Sequence, residues 1–436
     1  MSEKFVKIIG GGLAGTECAL QLLKRGFAVR MYEMRPNSTT GAHKTQNLAE
    51  LVCSNSLKST EKSTASGLLK DELEFFGCEL LPLAKECAVP SGSALAVDRE
   101  KFSHAVEREL AKHDRFELVR EEVVALDDAP TVIATGPLTS PQMAETVGKL
   151  TGKERLFFYD AIAPIVSFES VDINFAYFGG RYGKGGDDYL NLPMQRAEYE
   201  AFYQALVNAQ TVVLHDFEKK ELFDGCMPIE EMAKRGSDTI RFGPLKPIGL
   251  RNPKTGEKAY AVVQLRKENI AGDCYNLVGF QTNLTYPEQK RVFSMIPALH
   301  DAEFVRYGVM HRNTYVNAPG VLDKNFRLKG EQPIYIAGQL SGVEGYVESI
   351  MSGLVAGISI AAELEDKHFE VPSDVTIIGS LARYVSTNQL DFKPMNANFG
   401  ILPQIDGIRD KKNRKLAYHD RAMQSLEAQY GKSFEN

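Results

Sequence analysis

The chain has 436 residues, of which 43% are hydrophobic and 25% charged, so it can build the cores of two or three domains. Its formal net charge of −6 is unlike the basic balance of a dedicated nucleic-acid-binding protein, although a local basic patch remains compatible with it. The sequence shows no signal peptide and no apolar run near the roughly 20 residues of a membrane helix. We therefore expect a cytoplasmic protein without a membrane segment.

The N-terminal elements predict a βαβ unit. Residues 5–9 form a short apolar run typical of a buried strand, and residues 13–25 have apolar positions at helical spacing. Gly26 is placed to end this helix, and residues 28–33 follow as a second strand. The two strands should be parallel, with a right-handed crossover.

A glycine-rich turn joins this first strand to the helix, in the pattern Gly10-x-Gly12-x-x-Gly15. Such glycines permit a tight turn, close approach of a pyrophosphate and close packing of helix on strand, while the helix N-terminus offers free N–H groups to phosphates. Glu33, which ends the second strand, can accept hydrogen bonds from ribose hydroxyls. We predict a dinucleotide site here; the alternative is a glycine-rich turn without a ligand. The predicted contacts are Gly10, Gly11, Gly12, Leu13, Ala14, Gly15 and Glu33.

The next elements follow in chain order. Residues 35–66 are rich in turn-forming residues and predict a long loop of functional importance, and residues 67–77 predict a helix. Residues 99–113 predict an amphipathic helix with Asp98 as its N-cap. Strands are predicted within 116–126 and at 131–135, the latter closed by Gly136.

The middle of the chain changes character. Residues 157–310 alternate short strand-like runs with turn signals and contain one amphipathic helix near 196–207, which indicates a mixed α+β domain. The buried-strand pattern returns at 333–337, followed by Gly338 and a long helix at about 346–365, and the tail is predicted to be helical.

These patterns predict an α/β fold: a Rossmann-like FAD-binding domain of the two-dinucleotide-domain flavoprotein type with an inserted α+β domain. FAD is favoured over NAD because two later strands that end in glycine, at Gly136 and Gly338, resemble the sheet-completing motifs of the two-dinucleotide-domain flavoproteins, although ordinary buried strands could show the same pattern. We expect a discontinuous FAD-binding domain at 1–90, 115–155 and 310–436, and an inserted substrate domain at 91–114 and 156–309.

The six cysteines show no CxxC pair and no metal-type spacing, so neither a metal site nor a disulfide framework is predicted. Cys53 and Cys226 lie beside turn-forming polar residues, and either could be reactive if a nearby cation such as Lys58 or Arg235 favoured the thiolate. Cys18, on the first helix, is expected to be a packing residue. The others, which have no distinguishing context, are Cys78, Cys87 and Cys274.

Six blocks resemble the bacterial folate- and FAD-dependent tRNA (uracil-5-)-methyltransferases, over essentially the full length. They are 9–17 (IGGGLAGTE), 41–45 (GAHKT), 50–56 (ELVCSNS), 225–232 (GCMPIEEM), 241–247 (RFGPLKP) and 337–346 (AGQLSGVEGY). The resemblance implies formation of 5-methyluridine at position 54 in the T-loop of tRNA. The carbon comes from 5,10-methylenetetrahydrofolate and the electrons from FADH2, which NADPH or NADH reduces.

The resemblance also implies roles for three residues. Cys226 is the thiol that adds to uracil C6 and makes C5 nucleophilic, and Cys53 is the base that removes the C5 proton, although the division of work between the two thiols stays open. Tyr346 is the aromatic residue that stacks on the flavin; the alternative is a core tyrosine with a satisfied hydroxyl.

The target uridine must leave the tRNA elbow to reach such a site, so basic residues should contact the T-arm backbone. The densest basic cluster is Arg409, Lys411, Lys412, Arg414 and Lys415, and a solvated helix face is an equal alternative. Lys44 and Lys58 are weaker candidates. The oligomeric state stays open, with a homodimer as one alternative.

Three other functions remain to be distinguished. A flavin-dependent NAD(P)H oxidoreductase of a small molecule would need neither folate nor Cys226. A non-catalytic tRNA-binding flavoprotein would bind tRNA without either thiol. A flavin-dependent modifier of an anticodon uridine is disfavoured by the block at 225–228.

Overall fold

A computed structural model describes residues 5–40, 42–152, 155–183, 186–212, 227–253, 255–390, 392–431 and 434. The helices of these ranges are α1 Leu13–Lys24, α2 Ala65–Phe75, α3 Leu80–Glu86, α4 Arg99–Ala111, α5 Pro141–Thr151, α6 Arg196–Val207, α7 Ile229–Lys234, α8 Ser237–Phe242, α9 Tyr286–Phe293, α10 Tyr346–Leu364, α11 Ile377–Ser386 and α12 Lys411–Tyr430. The strands are β1 Phe5–Ile9, β2 Ala28–Tyr32, β3 Ser56–Ser59, β4 Ala88–Val89, β5 Ala94–Val97, β6 Phe116–Val119, β7 Thr131–Ile133, β8 Arg155–Ala161, β9 Ile165–Ser167, β10 Tyr177–Phe178, β11 Tyr189–Met194, β12 Ala261–Lys267, β13 Cys274–Leu277, β14 Phe304–Arg306, β15 Met310–Val316 and β16 Ile334–Ile336.

A five-stranded parallel sheet organises the first part of the molecule, in the order β16-β7-β1-β2-β6. The apolar run of β1 is almost fully buried because helices cover both faces of such a sheet. The predicted βαβ unit is confirmed: β1 pairs in parallel with β2, and α1 connects them. All five strands therefore direct their carboxyl ends to one edge, where Gly10, Gly136 and Gly338 follow β1, β7 and β16.

Small residues let α10 approach α1 closely. A Cβ atom at Gly353 would lie 2.2 Å from the carbonyl oxygen of Ala14, and one at Gly357 would lie 3.1 Å from that of Cys18. Cys18 is buried in this contact, so its predicted packing role is confirmed. The helix α10 is long and apolar enough to cross a membrane, which the search for apolar runs in the sequence did not detect. However, 78% of its apolar window is buried inside the protein, as in a core helix.

A second hydrophobic core lies under a six-stranded sheet, in the order β10-β11-β12-β13-β9-β14, whose neighbouring strands are antiparallel. The amphipathic helix α6 packs on it through Tyr199, Phe202 and Leu206, at the predicted residues. The two-stranded antiparallel pair β8–β15 lies at the points where the chain enters and leaves this part. The predicted mixed α+β character of the insertion is confirmed.

Two expectations were wrong. Residues 91–114 were assigned to the inserted domain, but Phe102, Val106 and Leu110 of α4 are buried in the first core. An amphipathic pattern shows that a helix buries one face, and does not show in which core. The predicted loop at 35–66 contains β3, which pairs with β5. The strand was missed because most of its residues are polar, and Leu57 is its one residue in the core.

Candidate functional site: a dinucleotide cavity with a thiol at its wall

The turn after β1 is shaped by steric contact. Gly10 has φ +108°, and a Cβ atom there would lie 2.4 Å from the carbonyl oxygen of Ala134 at the end of β7. A Cβ atom at Gly15 would lie 2.0 Å from the carbonyl oxygen of Gly10. Only glycine fits either position, so the turn holds α1 directly against the edge of the sheet.

Gly12 differs from its neighbours because a Cβ atom there would meet nothing within 4 Å. It precedes α1, and no side chain caps this helix. The first turn of α1 therefore presents N–H groups and a positive partial charge to open space lined by residues 10–14. A pyrophosphate fits this space, which a side chain at position 12 would occupy.

Glu33 lies beside this turn and is buried. Its carboxylate accepts hydrogen bonds from the backbone N–H of Gly11 (3.0 Å) and from Nε of Arg35 (2.9 Å). Burial alone would raise the pKa of Glu33, but Arg35 and these bonds hold it below its usual value, so the carboxylate is ionised near neutral pH. Arg35 also pairs with Glu50 at 2.9 Å, which fixes its guanidinium between two carboxylates.

The cavity extends from this turn along the carboxyl edge of the parallel sheet. The site residues predicted from the sequence that line it are Gly10, Gly11, Gly12, Leu13, Ala14, Glu33, Gly136, Gly338, Cys53 and Tyr346. Gly15 does not line it and acts one layer below, through its contact with Gly10. The structure thus brings together residues that the sequence separates by more than 300 positions.

Cys53 and Tyr346 are in direct contact at the wall of the cavity. The backbone N–H of Cys53 donates to the hydroxyl of Tyr346 at 2.8 Å, and the Cys53 Sγ lies 3.8 Å from the carbonyl oxygen of Ala161. Burial raises the pKa of Tyr346, and proximity to Cys53 acts in the same direction, so the phenol stays neutral. The thiol is half-buried and lines the cavity.

Glu344, a glutamate with a raised pKa, lines the same cavity. Burial raises the pKa of Glu344 to about 7; Lys58 opposes this shift and Glu348 adds to it. Lys58 donates to Glu348 at 3.0 Å, and Glu348 is fully buried. A group that titrates near neutrality beside Tyr346 is able to exchange protons with a bound substrate.

Two histidines also line the cavity. Burial, reinforced by Arg35, lowers the pKa of His43 to about 4, and its Nδ1 contacts the hydroxyl of Thr40 at 2.7 Å. Burial likewise lowers the pKa of His311, although Asp160 opposes the shift. Both rings are therefore neutral at pH 7, and each has one donor and one acceptor nitrogen.

Cys226 lies outside the described residues. The chain is described again from Met227, which is buried, and Ile229 donates its N–H to the carbonyl oxygen of Gln281 at 2.7 Å. Arg235, named above as a cation that could favour a thiolate, is exposed at the end of α7. The residues after Cys226 are thus anchored to the second core.

The predicted basic cluster lies at the start of α12, where Asp410 caps the helix by accepting from the N–H of Asn413 at 2.8 Å. Its members Arg409, Lys411, Lys412 and Arg414 are exposed, and Lys415 is half-buried. Cations at a helix N-terminus oppose the helix dipole, so helix stability does not account for their position.

Several lining residues were not predicted from the sequence. The most prominent are Arg35, His43, Glu50, Asp160, His311, Asn313 and Glu344. His43, Glu50 and Glu344 lie inside the sequence blocks that resemble the methyltransferase family, so their positions in these blocks could have identified them as site residues. Asp160, His311 and Asn313 lie on β8 and β15, where no motif marks them.

Solved structures show the same fold. Two crystal forms of Aquifex aeolicus GidA align with TM-scores of 0.70, at 15% and 17% identity, covering 98% and 99% of this chain and 73% and 76% of the GidA chains. The family model described as glucose inhibited division protein A matches residues 5–368. Together with the glycine turn, these matches define a member of the glucose inhibited division protein A class, an α/β protein with a Rossmann-like dinucleotide-binding domain.

Relatives of much higher identity narrow this class. A protein from Natranaerobius thermophilus, named methylenetetrahydrofolate–tRNA-(uracil-5-)-methyltransferase TrmFO, is 54% identical over 96% of this chain and 98% of its own length. Proteins of that name from Listeria monocytogenes serotype 4b and Bacillus subtilis are 50% and 48% identical, over 97% and 98% of this chain and 98% and 99% of their own length. The chain belongs to the methylenetetrahydrofolate–tRNA-(uracil-5-)-methyltransferase TrmFO family.

Proposed function

We propose that this protein methylates C5 of uridine 54 in the T-loop of tRNA, with 5,10-methylenetetrahydrofolate as carbon donor. The observation that carries the proposal is the similarity, near 50% identity over almost the whole length, to relatives named for this reaction. The alternatives of a small-molecule oxidoreductase and of a non-catalytic tRNA-binding flavoprotein are not favoured by these names.

FAD fits the cavity and would be held at the uncapped start of α1, with its pyrophosphate near Gly12 and an adenosine ribose near Glu33. When bound and reduced, FAD supplies the two electrons that convert the transferred one-carbon unit to a methyl group. We expect NADPH or NADH to be the reductant. Tyr346 lines the cavity and would stack on the flavin ring.

The proposed role of the protein is to activate and deprotonate the pyrimidine. Uracil C5 is a poor nucleophile, so the Cys226 thiolate adds to C6, and the C5–C6 π electrons move toward the C4 carbonyl to form an enolate. C5 then bonds to the carbon of the folate methylene as one of the two C–N bonds of that carbon breaks and its electron pair returns to nitrogen. The C5 proton passes to a base, for which Cys53 is the candidate, and the electrons of the C5–H bond form an exocyclic methylene as the remaining C–N bond breaks and releases tetrahydrofolate. After that carbon is reduced, the S–C6 bond breaks and the thiolate is released.

The carboxyl of Glu344, which titrates near pH 7, and the neutral rings of His43 and His311 line the cavity in which this proton transfer would occur. A tRNA substrate agrees with the expected cytoplasmic location, and with a role for the basic start of α12 in contacting the T-arm. A homodimer remains one alternative for the assembly.

A product analysis tests the proposal. Purified protein is incubated with unmodified tRNA, methylenetetrahydrofolate and NAD(P)H, and the nucleosides are analysed by mass. We expect ribothymidine in the T-loop from the parent and from the control Cys274→Ala, and its loss in Cys226→Ala and Cys53→Ala. Absence of ribothymidine from the parent reaction would refute the function. Undiminished product from Cys226→Ala would refute only the assignment of the nucleophile.

A further inference from the structure

The segment that carries Cys53 has no regular secondary structure, yet its polar atoms are bound by arginine side chains. Arg99 donates through Nη2 to the carbonyl oxygen of Cys53 at 2.8 Å and through Nη1 to that of Leu51. Together with the bond from the Cys53 N–H to Tyr346, this fixes both peptide groups of the cysteine. The loop is thus held by side chains where a helix or sheet would use backbone ladders.

Two more arginines bind the neighbouring residues of the loop. Arg306 donates through Nη2 to the carbonyl oxygen of Val52 at 3.0 Å, and Arg266 donates through Nη2 to Oγ of Ser54 at 3.0 Å. Each residue from 51 to 54 therefore accepts a hydrogen bond from one of three guanidinium groups.

These arginines come from different cores. Arg99 begins α4 in the first core, whereas Arg266 lies on β12 and Arg306 on β14 of the second sheet. An ion pair between Nε of Arg99 and Glu268, at 2.7 Å, joins the two sides directly. The second core thus reaches across to the loop that carries the thiol.

The arrangement is costly for folding alone. Arg266 is 8% exposed, and its Nε and that of Arg306 have no hydrogen-bond partner among the described residues. Burial lowers the pKa of both arginines because it removes water from the charged guanidinium groups. A buried cation without full pairing is usually destabilising, so packing stability does not account for these residues.

We propose that Arg99, Arg266 and Arg306 are positioning residues that hold the Cys53 thiol at the cavity wall, so that the second core sets the geometry of a thiol carried by the first. The proposal rests on the proposed function, because the part played by Cys53 in methyl transfer is itself a proposal. A merely structural role would change stability without changing the behaviour of the thiol.

The test compares Arg306→Gln and Arg266→Gln with the conservative variants Arg306→Lys and Arg266→Lys. A misplaced group costs roughly 10- to 100-fold in rate, so we expect kcat of the Gln variants to fall by about that factor while KM for tRNA stays within about threefold. FAD content should be unchanged. The rate at which iodoacetamide alkylates Cys53, measured on its peptide by mass, should change by about threefold or more, and the Lys variants should be intermediate.

The matched control is Arg327→Gln, which removes an arginine that also pairs with a glutamate and donates to main-chain carbonyls, but lies away from the Cys53 loop. The proposal is overturned if the Gln variants keep the parental kcat and alkylation rate, or if Arg327→Gln alters the alkylation rate equally. If Cys53→Ala retains full methylation, the proposed catalytic role of Cys53 is wrong. The alkylation rates of the arginine variants still test whether the arginines position the thiol.

Discussion

At the scale of single residues, the shape of the cavity depends on glycines, which have no side chain. A Cβ atom would clash at Gly10 and Gly15 but meets open space at Gly12. The fold thus requires glycine at positions 10 and 15 but not at position 12, where we propose that the ligand lies. Glu33 combines a contact within the fold with a place at the cavity. Its carboxylate accepts hydrogen bonds from Gly11 and Arg35, and the residue also lines the cavity.

This division predicts that Gly12→Ala lowers FAD affinity by about tenfold or more without unfolding the protein. Alanine fits the free protein, and a Gly→Ala change at a compatible backbone alters stability by only about 1 kcal/mol. The control is Gly330→Ala, where a Cβ atom also meets nothing within 4 Å and no positive φ is required. FAD affinity is measured by titration of the FAD-free protein, and urea unfolding reports stability. Equal FAD affinity in both variants would contradict a ligand-facing role for Gly12.

At the scale of elements, one buried carboxyl group joins two helices. Glu72 of α2 is fully buried and accepts hydrogen bonds from the N–H groups of Ile377 and Ile378, at 2.8 and 2.9 Å. These residues begin α11, so Glu72 satisfies the first turn of a helix 305 residues away in sequence. Burial nevertheless raises the pKa of Glu72 to about 8, against the effect of the two hydrogen bonds.

This shift predicts a pH-dependent stability. The folded protein keeps a proton on Glu72 that the unfolded chain releases above pH 4.5, so the stabilisation is complete below pH 4.5 and is lost as the pH rises through about 8. Between pH 5 and 8 the loss is on the order of a few kcal/mol in the free energy of unfolding. Glu72→Gln cannot titrate and should flatten this dependence in urea unfolding, while losing one acceptor. Glu74→Gln, an exposed change on the same helix, should keep the parental slope; equal slopes in all three proteins would exclude Glu72 as the source.

Element positions were predicted more completely than element partners. Strand β1, helix α6 and the Asp98 cap of α4 were confirmed, because hydrophobic periodicity and capping act within a few residues. The core to which α4 belongs was wrong, and β3 was missed. Both depend on contacts with distant segments that local periodicity does not record.

At the scale of the whole molecule, the negative net charge must be reconciled with a tRNA substrate. The start of α12 concentrates exposed cations, which suits backbone phosphates even on an acidic protein. We therefore expect the double change Lys411→Gln and Lys412→Gln to weaken tRNA binding uniformly across sequences. It should also reduce the slope of log K against log salt by roughly 1 to 2.

Filter binding at several salt concentrations measures this slope. The matched control is Lys112→Gln with Lys367→Gln, which removes the same charge from two exposed lysines elsewhere. If both doubles shift binding equally, only net charge matters and α12 is a solvated helix face.

The amino-acid sequence was enough to identify the glycine-rich turn and the family, because both depend on short blocks with characteristic spacing. Only the tertiary structure decided that Tyr346 binds the Cys53 backbone and that Arg306, 254 residues from Val52, holds the same loop. Arginine is common on surfaces, and nothing in its local context shows which carbonyl it will meet. That choice is made when two separately packed cores come together, and it depends on their joint geometry and not on any segment by itself.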